Sequence, residues 1–536
     1  MTLPPSPRLT SPPDVRRQRP HLLFIALISG FLLIQGVTAA SLLIAADDSH
    51  PKFMAEADYI CDGFDDHIEV QAALTALPEG GTAILSDGTF NCSGSITPAA
   101  GTSLIGQGPD ATSLEFSQNG QLNVSEEYVT LGDLHIRGTN YTNMSTDTTL
   151  DLSRWLGVIT IYASHARVCN VTGTADASIQ AVFLLLHNPN VYAPILEDIE
   201  FANCQAIDTG TYGYLHNAWG SENTTIKNVR YENCHAINCG GYGTFNQWVT
   251  GFDFAELNDM EGLRVSNSSA EGSLESGFHF EWDSQVRDCV FINCSSLDNG
   301  RKPYPETYLV GDPDFFGSGF YIPGGGASLI NCRSEGNSAF GYFIGNPDGM
   351  LLYNCTERET GRGRTVGNVT KAISYCILQS RPVARDPSLV MDHCWSIGSN
   401  GWALFACGAE NIVIKNFTMI DPAGIDGKGA VLGCLESDLP VNSTIRAGIF
   451  NSTIDLTASG DRPQTLLCVV NSEGVTYSGT LYSDAPNPVQ AEGVVPGDRA
   501  LAGLKVLPLL SFARHRRSPP SWRAKQGKPL SGTSAS

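Results

Sequence analysis

The chain has 536 residues, 55 of them glycine, and a formal net charge of −22, so it is long enough to bury a large core. The ends, 1–39 and 484–536, are basic, which leaves 51 acids against 21 bases between them; this argues against nucleic acid as a partner and disfavours a polyanion without a bridging cation. Fifteen cysteines are too few per residue for a disulfide-built scaffold, and none falls in a Cys-x-x-Cys or Cys/His spacing for a metal.

In chain order, residues 22–46 are mostly apolar and follow Arg16, Arg17 and Arg19. The tightest run, Leu22 to Ile34, has the length of a signal-peptide core, and Thr38-Ala39-Ala40 supplies small residues for cleavage. An uncleaved anchor, with the run stretched to Ala46, is the alternative; Gln35 and Gly36 interrupt it near the length a span needs. Either way the following residues are expected to be exported, secreted or held at the cell surface, with any membrane contact only through this segment.

Next, Asp65 or Asp66 can cap a helix whose apolar positions Val70, Ala73, Leu74 and Leu77 share one face. Pro78 and Gly80-Gly81 end it, Thr82 to Leu85 reads as a strand, and Asp87-Gly88 as a turn. In an exported chain Cys61 and Cys92, flanking this segment, are the expected disulfide.

The body then repeats. Asn203-Cys204, Asn233-Cys234, Asn293-Cys294, Asn331-Cys332 and Asn354-Cys355 recur, with Asn267-Ser268 in the same frame, at steps of 30, 34, 26, 38 and 23 residues. Two and four residues before each Asn the chain is apolar or nearly so, which predicts a strand with one buried face. The frame extends to Asn170 upstream and to His393, Asn416 and Asn451 downstream, ten copies in all. Ten residues after four of the asparagines stand Gly213, Gly243, Gly277 and Gly341, each opening a second short strand; after Asn293 the equivalent Gly319 comes late, behind an insertion at 299–316. Units this small bury a core only by stacking. Asn suits the bend because it tolerates the left-handed backbone region, and the Cys after it reads as a small buried hydrophobe. Of thirteen Asn-x-Ser/Thr sequons, those outside the frame, at Asn91, Asn123, Asn140, Asn143, Asn223, Asn368 and Asn442, are the candidate glycan acceptors.

The order Asp62-Gly63-x-Asp65-Asp66, helix, Gly81-Thr82, strand, Asp87-Gly88-Thr89-Phe90 and Leu104-Ile105-Gly106-x-Gly108 resembles the start of the pectate-lyase-like superfamily, and in particular exported surface proteins of methanogenic archaea. The resemblance implies an all-β fold, a single-stranded right-handed parallel β-helix of about ten or more rungs with an N-terminal capping helix. It divides the chain into a signal peptide or anchor (1–40), the cap (47–100), the β-helix (101–483) and a basic disordered tail (484–536), and a homotrimer is compatible with it. The implied partner is a polysaccharide or surface glycan. The superfamily contains lyases, hydrolases and epimerases as well as non-catalytic surface proteins; no cofactor is expected, or calcium if the chain is a lyase.

The strands after each Gly carry the residues suited to a sugar: flat rings for stacking, amides and acids for hydroxyls. Glu281, Asp283, His279 and Asp253 are the candidate acids and bases, two carboxylates being what glycoside hydrolysis needs. His216, Asn217, Asn246, Gln247, Trp282 and Tyr321 are expected beside them on neighbouring rungs, with Arg301, Lys302 and Tyr304 from the insertion flanking the same groove. The leading expectation is a carbohydrate-binding surface β-helix; the alternative is a polysaccharide lyase, glycoside hydrolase or uronate epimerase working on the 213–325 face.

Overall fold

A computed structural model describes residues 40–509 apart from 79, 142–155, 188–194, 219–223, 242–247, 255–258, 282–284, 301–316, 362–371, 435–444, 461 and 493–500. The N-terminal apolar run to Ala39 and most of the basic tail therefore lie outside the described residues. Ser41–Ala45, which would have lengthened that run, is a strand paired in parallel with Thr82–Leu85. Among the described residues no helix is long and apolar enough to cross a membrane.

One complete turn of the chain shows how the rest is built. Ile195–Glu197, Glu200–Ala202, Gln205–Ile207 and Tyr212–Ala218 are four short strands. Each pairs in parallel, without slippage, with the strand one turn later: Leu196 with Ile226, Phe201 with Tyr231, Ala206 with Ala236, and Leu215 with Asp253. Repeated along the chain, this coil makes a 26-stranded, a 13-stranded and a four-stranded sheet, all parallel. The molecule is a parallel β-helix with a continuous apolar interior. The sequence frame counted two strands per unit; the strand directly after Asn-Cys was missed because three residues are too few to show an alternation.

All ten frame residues, from Asn170 to Asn451 and including His393, adopt φ between 47° and 56°. The same backbone recurs five residues on either side. Five before stand His165, Asp198, Asn228, Gly262, Asp288, Gly349 and Asn411; five after stand Asp208, Asn238, Gly272, Asp298, Gly336, Glu359, Gly398 and Asp421. Each left-handed residue turns the chain by one corner, which is why Asn, Asp and Gly dominate these columns. The side chains then bond along the stack: Asn233 Nδ2 donates to Asn203 Oδ1 at 2.8 Å, Asn331 to Asn293 at 3.2 Å, and Asn354 to Asn331 at 2.9 Å.

The cysteine after each asparagine does more than fill space. The thiols of Cys204, Cys234, Cys294, Cys332, Cys355 and Cys394 donate to the carbonyls of Val168, Phe201, Val265, Phe291, Leu329 and Leu352, at 3.3–3.6 Å. Each acceptor lies two residues before the frame residue of the preceding turn, so every thiol ties two rungs.

Inside, the rings of seven successive turns stack. Phe183, Tyr214, Phe252, Phe278, Phe320, Tyr342 and Tyr375 form one column with centroids 4.4–5.1 Å apart, the spacing that parallel strands impose. The glycine heading these strands answers to close approach. A Cβ on Gly213 would meet Gly251 O at 2.6 Å, and one on Gly319 would meet Gly341 O at 2.6 Å.

The expected helix forms at His67–Ala76 and buries Val70, Ala73 and Leu74. Asp66 precedes it but does not cap it; its carboxylate accepts from Gly63 N at 2.9 Å and Asn91 N at 2.7 Å instead. Cys61 and Cys92 are buried, separate thiols, so that expectation is corrected. The bond that forms joins Cys407 to Cys434, at the ends of adjacent strands where register brings the two chains side by side.

Candidate functional site

Strand alternation decides which of the expected residues can meet. On the 13-stranded sheet the first and third residues after the heading glycine face the interior, and the second and fourth face outward. His279 and Glu281 follow Gly277 at two and four, so both point out. His216 follows Gly213 at three and points in. It is fully buried against Phe254, and its Nε2 lies 2.6 Å from the Tyr231 hydroxyl. Burial pushes its pKa down to about 3, so it is a neutral structural imidazole and not a member of the site. Asn217 is also completely buried.

A second correction concerns the next turn. The strand paired between Leu215 and His279 is Phe252–Asp253, headed by Gly251 and not by Gly243. Asn246 and Gln247 lie outside the described residues, as do Trp282, Asp283, Arg301, Lys302 and Tyr304. Asp253 takes the neighbouring position, at 2% exposure and in register with His279.

What remains is a compact acidic cluster around one imidazole. Glu275, buried in the bend before Gly277, places Oε1 3.3 Å from His279 Nδ1, an ion pair without hydrogen-bond alignment. Glu281 Oε1 stands 3.6 Å from His279 Nε2, and its side chain is 45% exposed against 7% for the imidazole. The imidazole stacks on Tyr321 of the next rung at 4.7 Å, and Tyr321 on Phe343 at 4.7 Å. Glu275 was absent from the sequence reading, although the signal existed: other turns carry Thr211, Val249, Gly317 and Ala339 two residues before the glycine, and only this one carries an acid.

The electrostatics follow from burial and crowding. Burial raises the Glu275 carboxyl, Asp253 and Glu281 add to the rise, His279 opposes it, and the result is about 8. Burial alone would lower His279, but Glu275 foremost, then Glu281 and Asp253, lift it to about 10. One imidazolium among three carboxyls is a crowding of charge that perturbed functional groups share. Only Glu281 carries this chemistry toward solvent.

Elsewhere Cys61, Asp66 and Glu69 bring ligand atoms within 4.8 Å of one another, but both Asp66 oxygens are already taken by backbone amides. Of the candidate glycan acceptors, Asn91 and Asn140 are exposed and Asn123 half-buried; Asn143, Asn223, Asn368 and Asn442 lie outside the described residues.

No family model and no curated protein matches the sequence. Among solved structures, the A-module of a mannuronan C-5 epimerase from Azotobacter vinelandii is similar at 14% identity, covering 83% of this chain and 95% of that one with a TM-score of 0.39. A pectate lyase is similar at 14% identity over 65% of this chain and 78% of that one, TM-score 0.37. The catalytic domain of a GH87 α-1,3-glucanase in complex with nigerose is similar at 12% identity over 84% and 67%, TM-score 0.39. At these identities the likeness is one of fold alone, and the register of its own strands is what establishes this chain as a parallel β-helix.

Proposed function

We propose that this is an exported cell-surface β-helix that binds a glycan on the outer face of its 13-stranded sheet, at Glu281. The observation that carries this reading is the asymmetry of the cluster: a half-exposed carboxylate steered by a buried imidazole, which is itself clamped by Glu275 and stacked on Tyr321. A fixed, charged acceptor is suited to sugar hydroxyls. The wild-type protein is expected to be retained on a glycan array of uronate and neutral polysaccharides, and Glu281→Gln to weaken that retention roughly tenfold. Retention that is absent on every glycan, or unchanged in Glu281→Gln, would overturn the reading.

A second reading, acid–base catalysis by a polysaccharide lyase, glycoside hydrolase or uronate epimerase, is favoured by one specific observation, the half-exposed Glu281 carboxylate standing 3.6 Å from the buried His279 imidazole. It predicts new reducing ends or double-bond absorbance from a polysaccharide. That activity should be lost in Glu281→Gln. Product formation that ignores this change sinks it.

A further inference from the structure

A separate concavity lies on a different part of the coil, at the corner between the four-stranded and the 26-stranded sheets. It is a groove of about 300 Å³ lined by Asp198, Glu200, Asn228, Arg230, Gly262 and Arg264. Arg230 and Arg264 are register partners on adjacent parallel strands, and both are exposed. Strands in a sheet are about 4.8 Å apart, and like charges in register destabilise a sheet.

Glu200 stands in register beside Arg230, whereas Arg264 has no acid in register on either side. Neither guanidinium has a hydrogen bond or an ion pair among the described residues. The two acids of the groove also have partners outside the arginine pair. Glu200 Oε1 lies 3.8 Å from Arg167. Asp198 accepts from Asn228 Nδ2 at 3.0 Å and faces His165 Nδ1 at 3.5 Å. Arg137, Arg287, Arg333, Arg446 and Arg462 all sit beside a carboxylate; among the described residues Arg358, Arg381 and Arg385 share the unpaired state, but only Arg230 and Arg264 are register partners. The corner residue before the Arg264 strand is Gly262, where a Cβ would meet Asn228 Oδ1 at 2.7 Å.

We propose that Arg230 and Arg264 form a binding site for one tetrahedral oxoanion, a phosphate or sulfate monoester. Two planar guanidinium forks on adjacent rungs can each present paired donors to such a group. The column also limits the ligand. Glu200 precedes Arg230 in register and Val290 follows Arg264, so the positive strip is two rungs long and matches a single anion, not a repeating polyanion. This site is independent of the Glu281 cluster and stands or falls without it.

Calorimetric titration of the full chain with inorganic phosphate, inorganic sulfate, a sugar phosphate and a sugar sulfate tests it; the two sugar esters separate the phosphate source from the sulfate source. At least one ester should bind saturably at one site, and the Arg230→Gln/Arg264→Gln double variant should lose roughly tenfold or more in affinity, while Arg137→Gln binds as wild type. A second measurement guards against misfolding: in chloride the double variant should melt no lower than wild type, because a repulsion has been removed, and the bound ester should raise the wild-type midpoint alone. No saturable binding by any of the four probes, or equal binding and equal stabilisation in the double variant, would overturn the proposal.

Discussion

The asparagine that marks each turn combines a backbone role and a side-chain role, and substitution separates them. Asn331 holds φ at 56°, donates to Asn293 and accepts from Asn354. Asn331→Ala should destabilise by about 1–3 kcal/mol, from the left-handed backbone and two broken ladder bonds; Asn331→Gly should recover the backbone part. Urea midpoints of the three proteins check the order. The cysteine beside it carries a donor as well as volume: Cys332→Ala should lower stability by about 1 kcal/mol beyond its small loss of apolar contact. Ser268 and Ser452, which occupy this position in two turns and donate to the Ser266 and Phe450 carbonyls at 2.9 and 2.6 Å, show that a hydroxyl is tolerated there.

At the scale of a strand, the glycine that heads five successive rungs of the 13-stranded sheet (Gly213, Gly251, Gly277, Gly319 and Gly341) is set by its neighbour's carbonyl. Gly319→Ala would bring Cβ to 2.6 Å from Gly341 O, and a backbone atom cannot rotate away. The loss should be about 1–3 kcal/mol, seen as a drop in thermal midpoint with the ring stack, followed by near-ultraviolet dichroism, disturbed first. The strands also show what period-two reading does and does not give. On the 26-stranded sheet it correctly finds Phe201, Tyr231 and Phe291 as the buried face. His216 stands three residues after Gly213 and His279 two after Gly277, and an offset of one residue reverses the face. Asp253 joins His279 through register alone: two glycines, Gly243 and Gly251, could head that strand, and only pairing with both neighbouring strands selects the second.

At the scale of the whole molecule, three of the buried groups that hold protons more tightly in the fold than in the unfolded chain do so with folded values between about 7 and about 10. Glu357, buried and bonded to Thr360 and Ser396, is raised to about 7; Glu275 is raised to about 8 and His279 to about 10. A raised folded pKa means that the native state binds more protons, so its contribution is complete below the unfolded value and is lost as pH rises through the folded one. Stability should therefore fall from about pH 4.5 upward through about pH 10, with Glu357→Gln flattening the lower part of the slope and Glu275→Gln the middle; chemical denaturation across this range reads it. The Cys407–Cys434 bond closes a loop of 27 residues, so replacing both cysteines by alanine should remove about 3 kcal/mol. The remaining thirteen thiols are free and all but Cys169 buried; a thiol reagent should find them slow in the native protein and all reactive in denaturant.

The repeating Asn frame and the alternation before it determined by themselves that this chain stacks into a coil of parallel rungs, because a left-handed bend and a one-sided strand are local properties that recur wherever the local sequence recurs. What surrounds His279 was settled only by tertiary structure. Glu275, Asp253, Glu281 and Tyr321 come from a bend and from separate turns of the coil, and their meeting depends on the register between rungs and on how many residues each connection consumes, which no single turn of the sequence contains.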